Sequence, residues 1–131
     1  MKKDIEIPIA EQVYVAVIHE WNEEFLEKNW NVYLINDREN TIEAAIAVSK
    51  GYEGDRKTST MRHGLGDIKG KDFKKIEELQ EDILAFTNEF FVTFFADNKL
   101  YEKRFIFEKN SINEANFRPL PVLEQEGILA V

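Results

Sequence analysis

Cysteine is missing from this 131-residue chain. Its absence removes structural disulfides, thiolate metal ligands and a cysteine nucleophile together. Histidine is nearly missing too, with only His19 and His63 available for imidazole chemistry. Positive charge is in the minority, 17 basic against 25 acidic residues, for a net charge of -8. Phosphate binding is dominated by positive charge, so this balance argues against nucleic acid or an anionic membrane as a nonspecific partner. No apolar run approaches the length of a membrane span, and the opening MKKDIEIPIAEQ has no apolar core of signal-peptide length. A cytoplasmic location is the expectation. G-x-S-x-G elbows, Walker loops and dinucleotide fingerprints are absent as well.

What the chain does have is aromatic alternation. The run EFFVTFFADNKLYEKRFIF, residues 89–107, sets two apolar segments on either side of Asp97 and Asn98. Those residue types tolerate the positive φ of a tight hairpin turn. With them at the centre, Phe95 pairs with Leu100, Phe94 with Tyr101 and Phe90 with Phe105. One face then carries Phe90, Val92, Phe94, Tyr101, Phe105 and Phe107, and reads as core. The other carries Phe91, Thr93, Phe95, Leu100, Glu102, Arg104 and Ile106. It is mixed, and its apolar part needs a cover.

Around this hairpin the chain reads mostly as further strands. Residues 1–11 form an N-terminal arm in which Ile5, Ile7 and Ile9 alternate with other residues and Pro8 marks an edge. QVYVAVIHEW at 12–21 is apolar on both faces and β-branched, a buried strand. Residues 22–28 form an acidic, exposed connection. A second hairpin is expected next, pairing 30–35 with 41–49 across the turn at 36–40. Its second strand would turn Ile42, Ala44, Ile46 and Val48 inward. Residues 57–63 read as a polar edge strand.

The stretch 72–86 supports two readings. Phe73, Ile76, Leu79, Ile83 and Phe86 recur near helical spacing behind a possible Asp72 N-cap. The strand-rich surroundings favour instead a strand as far as Leu79, then a one-turn helix crossing between sheets. The predicted fold is all-β: an immunoglobulin-like antiparallel sandwich of about seven strands over 12–107, with a short helix near 78–88. The alternative is an α+β fold with a helix at 72–88 packed on an antiparallel sheet. Residues 1–131 form a single domain, and the tail 108–131 covers one sheet face. Leu120, Val122, Leu123, Ile128 and Leu129 make that tail a candidate lid for Phe91, Phe95 and Ile106.

Candidate sites follow from the same pattern. Phe91, Phe95, Leu100 and Ile106, with Arg104 beside them for polar specificity, form a candidate interface, because sizeable exposed apolar patches usually mark interaction sites. Seven of the 17 basic residues fall between Asp55 and Lys75. Within them Arg56, Lys57, Arg62 and His63 are a candidate contact for an anion or an acidic partner. His19 reads as a strand-end histidine capping the core. The acids at 20–27, 37–39 and 77–82 match no EF-hand spacing and read as solvated faces, so neither a metal nor a cofactor is expected. Tyr52, Trp21 and Trp30 are possible rim residues of a small-ligand pocket.

Three strings, VYLINDRENTIEAAIAVSKGY, TSTMRHGLGDI and NEFFVTFFADNKLYEKRFIFEKNSI, carry a resemblance that spans most of the chain. They resemble a group of short bacterial proteins of unknown function that often carry the label phenylalanyl-tRNA synthetase subunit. The resemblance implies an accessory module linked to that enzyme. The motif arginines and ATP site of a class II synthetase core have no counterpart here, so no residue role transfers. The residues themselves point to a cytoplasmic binding domain that works as a homodimer or an adaptor to another protein. A third possibility is a small metal-dependent enzyme drawing on the acid clusters with His19 or His63.

Overall fold

The computed structural model describes residues 10–130, so Ile5, Ile7, Pro8 and Ile9 of the expected arm lie outside the described residues. The strands are β1 (Val13–Asn22), β2 (Glu27–Asn36), β3 (Ile42–Glu53), β4 (Arg56–Lys57), β5 (Met61–Ile68), β6 (Asp72–Leu79), β7 (Thr87–Ala96), β8 (Lys99–Phe107), β9 (Arg118–Pro119) and β10 (Glu126–Leu129). They form an all-β sandwich of two antiparallel sheets. Sheet I runs β6-β2-β1-β10-β9, and sheet II runs β4-β3-β7-β8 with β5 also paired to β3. Among the described residues, no helix is long and apolar enough to cross a membrane.

Valines at alternate positions of β1 (Val13, Val15 and Val17) meet Val32 and Leu34 of β2 on the inner face of sheet I. Opposite them stand Phe90, Val92 and Phe94 of β7 with Phe105 and Phe107 of β8. Each buried phenylalanine contributes roughly 2–3 kcal/mol of apolar burial, so the β7–β8 hairpin supplies much of the core. Its register matches the sequence reading, with Phe90 opposite Phe105, Phe94 opposite Tyr101 and Phe95 opposite Leu100. Asp97 and Asn98 sit at φ 54° and 62°, the left-handed pair that this tight turn requires.

The stretch 72–86 resolves as a strand, β6, followed by a single 3₁₀ turn at Glu81–Ile83. That turn carries the chain from sheet I to sheet II. The long helix of the alternative fold is therefore corrected: β6 pairs with β2 along its length, with a bulge opposite Val32 and Tyr33.

Three further expectations are corrected. β2 does not pair with β3; its hairpin partner is β1, from Val13 opposite Asn36 to Asn22 opposite Glu27. The acidic stretch 22–28 is thus a hairpin tip, and residues 37–41 cross from one sheet to the other. Asn36, fully buried, anchors that crossing by donating to the carbonyls of Asn40, Ile68 and Lys69. Gly70 in the neighbouring β5–β6 crossing lies so close that a Cβ there would stand 2.2 Å from the Glu39 carbonyl oxygen.

The inward face of β3 is the second correction. Ala44 adopts φ 50°, and both partners of β3 shift register around it. This bulge inserts one residue, so the alternation reverses beyond it. Ile42 faces the core, but Ala45, Ala47 and Ser49 follow it inward, while Ile46 and Val48 turn out.

The tail also goes elsewhere. β10 pairs with β1, and Leu120 and Leu123 pack on Ala16, Ile18 and Ile35, the outer face of sheet I. The lid expected over Phe91, Phe95 and Ile106 covers the other sheet instead.

Candidate functional site

Among the described residues, nothing covers the outer face of sheet II. Phe95 is 48% exposed and Leu100 39%, while Phe91 and Ile106 are half-buried by their own neighbours. The ladder sets them in rows across three strands. Val48, Phe91 and Arg104 form one row; Ile46, Thr93 and Glu102 the next; Glu43, Phe95 and Leu100 the last. The reversal at Ala44 thus delivers Ile46 and Val48 to the predicted patch, two residues that periodicity alone assigned to the core.

Charge is graded along this face. Lys50 and Arg104 both approach Glu89, at 3.7 and 3.3 Å, and the Arg104 guanidinium lies 5.5 Å over the Phe91 ring. Arg62 of β5 stands opposite Val48, at the same end. At the other end Glu43 and Glu102 have no ion-pair partner among the described residues. One end of the apolar stripe is basic, the other acidic.

The four residues proposed for an anion or acidic partner are not gathered. Arg56 pairs with Glu53 and lies 5.1 Å over Phe86. Hydrogen bonds from Lys109, then from Arg56, hold the Glu53 carboxyl below its ordinary value. Lys57 is exposed at the edge, opposite Tyr52. Arg62 faces outward, whereas His63 is opposite Ala47 and turns inward. There His63 Nε2 lies 2.6 Å from Glu77 Oε1, which also accepts from the Ser49 hydroxyl at 2.6 Å. Parity along β5 separates Arg62 from His63, a sorting that a basic-run count overlooks.

No family model, curated protein or solved structure matches the chain.

Its remaining polar groups serve local ends. His19 stacks flat on Trp30, with ring centroids 3.9 Å apart and an interplanar angle of 2°. Phe117 meets Trp30 edge-on, and Glu114 lies 4.0 Å from His19 Nδ1. On the outer face of sheet I, Glu20 accepts from the Tyr33 hydroxyl and from Asn31 Nδ2. Burial, then the hydrogen bond and charge of Glu20, push the Tyr33 phenol above its ordinary value. No group of three or more His, Cys, Asp or Glu side chains suited to a metal occurs among the described residues. Trp21 stands exposed near the β1–β2 tip with Phe25 and Leu26, two apolar residues that the acidic character of 22–28 obscured. Trp30 is buried in β2 of sheet I, whereas Tyr52 lies in β3 of sheet II.

Proposed function

We propose that the chain is a small binding domain that self-associates through the outer face of sheet II. The observation that carries this reading is the stripe of Ile46, Val48, Phe91, Phe95, Leu100 and Ile106, which no described residue from elsewhere in the chain covers. Contiguous exposed apolar surface of this kind favours association, because covering it removes it from water. A second copy is the occupant that the charge grading supports. A two-fold axis lying in this face at right angles to the strands reverses the direction of one copy's stripe. The basic end with Lys50, Arg62 and Arg104 then meets the acidic end with Glu43 and Glu102, twice. Elsewhere the net charge of -8 sets two copies against each other. The loose immunoglobulin-like description draws support from the two packed antiparallel sheets. The synthetase-module and metal-enzyme readings draw none from this face.

Sedimentation equilibrium of the wild type and of Phe95→Gln tests the reading. The wild type is expected to be a dimer, and the variant to dissociate about tenfold more readily or worse with its thermal midpoint nearly unchanged. A wild type that stays monomeric over the whole concentration range sinks the proposal.

A further inference from the structure

A second feature lies on the opposite side of sheet II, at the open edge of the sandwich. Between the β3–β4 end of sheet II and β6 of sheet I is a cleft of about 300 Å³. The inner part of its polar lining comes from Ser49, Gly51, Thr58, Glu77 and Asn88, with Lys50, Ser59, Glu78 and Gln80 further out, over an apolar floor that includes Phe90 and Ile83. Cleft and floor are both built from residues distant in sequence, which is why no run of residues announces the site.

The hydrogen bonds of this lining are one-sided. The Ser49 hydroxyl donates to Glu77 Oε1 at 2.6 Å, and His63 Nε2 approaches the same oxygen at 2.6 Å. The Thr58 hydroxyl accepts from the Gly51 amide at 2.7 Å and donates to the Ser59 carbonyl at 3.2 Å. Asn88 spends its Nδ2 on the carbonyls of Ile83 and Phe86, at 3.0 and 3.1 Å. The donors of the inner wall, on Ser49, Thr58 and Asn88, are therefore committed. What remains is acceptor: Glu77 Oε2 and Asn88 Oδ1 have no hydrogen-bond partner among the described residues, and Ser49 Oγ keeps its lone pairs. Three more donors stand at the rim, the exposed Ser59 hydroxyl among them. Lys50 is 3.7 Å from Glu89 of the outer face, and Gln80 is exposed. Gly51 keeps the space beside these acceptors open, since a Cβ there would stand 3.1 Å from Asn88 Oδ1 and 3.2 Å from Thr58 Cγ2.

We infer that this cleft binds a compact organic cation, an alkylammonium whose N–H groups serve Glu77, Asn88 and Ser49 while its chain lies on the apolar floor. A pocket whose inner wall holds a carboxylate and spare acceptors, with the donors of that wall used up, favours a ligand that brings donors and positive charge. A neutral or anionic ligand of the same length leaves those acceptors unmet.

Titration of the full chain by two-dimensional amide NMR tests this, using n-butylammonium as the probe and n-butanol and butyrate as matched controls. Saturable shifts at the Ser49, Gly51 and Asn88 amides are expected with the cation and not with either control. Glu77→Gln, which keeps the shape and removes the charge, weakens the cation by about tenfold or more. Gly51→Ala narrows the space beside Asn88 and weakens it severalfold. Equal shifts with n-butanol, no saturable shift with the cation, or unchanged affinity in a folded Glu77→Gln protein would each overturn the assignment. The comparison of probes on the unmodified protein decides the matter if either variant fails to fold. Nα-acetyl-lysine methylamide separates the two sources of such a group. Binding comparable to butylammonium assigns the cleft to a lysine side chain of a polypeptide, and preference for the free amine assigns it to a small molecule.

Discussion

The two sheets carry similar outer faces and treat them differently. Sheet I offers Ala16, Ile18 and Ile35, and the chain covers them itself with Leu120 and Leu123. Sheet II offers Ile46, Val48, Phe91 and Phe95, and none of the described residues outside the sheet covers them. Apolar content does not separate the two cases; topology does. β10 pairs beside β1, so the tail that precedes it must lie over sheet I and cannot reach the Phe91–Phe95 face. A face is exposed because of where the next strand is bound, not because of what the face contains.

That contrast can be sharpened within one hairpin. Phe94 and Phe95 are neighbours in β7 with opposite surroundings, 1% and 48% exposed. Phe94→Ala is expected to cost about 3–5 kcal/mol, and Phe95→Ala under about 1 kcal/mol, in urea unfolding at concentrations where the protein is monomeric. Comparable losses at both positions would mean that Phe95 is covered and the contrast is false. Sheet I gives the intermediate case. Leu123→Ala strips part of its cover and is expected to cost about 2–4 kcal/mol by the same measurement, with Tyr14 and Tyr33 gaining solvent exposure. An effect near zero would place the tail off the sheet. The smallest effect lies at the bulge that sets the face of β3. Ala44 holds φ 50°, so Ala44→Gly relieves left-handed strain and is expected to raise stability by up to about 1 kcal/mol. Destabilisation by that change would argue against the reversed alternation.

Much of the fold was legible because local chemistry and global architecture agree in the β7–β8 hairpin. Asp97 and Asn98 fix the turn, and the period-two pattern on either side then fixes both faces. The strand and one-turn helix of 72–86 were readable from the company they keep. The rest failed where one residue or one crossing overrides a pattern. Nothing in the string IEAAIAV marks Ala44 as the bulge, so Ile46 and Val48 read as core. A polar run, 36–40, looks the same whether it turns a hairpin or changes sheets. Glu77 lay hidden in an acidic cluster, although β3, β5 and β6 converge on it through Ser49 and His63. Convergence of strands far apart in sequence leaves no trace in spacing.

The pairing of β1 with β10 also orders events during synthesis. β7 and β8 are joined by two residues, so their ladder can close as soon as both have left the ribosome. β1 is made more than a hundred residues before β10, and one of its edges has no native partner until Ile128 and Leu129 exist to face Val17 and Ala16. Through that interval the nascent chain holds a strand rich in valine with an open edge, the condition that invites pairing with a stranger. Of the described strands, the earliest to be translated is among the last to be finished.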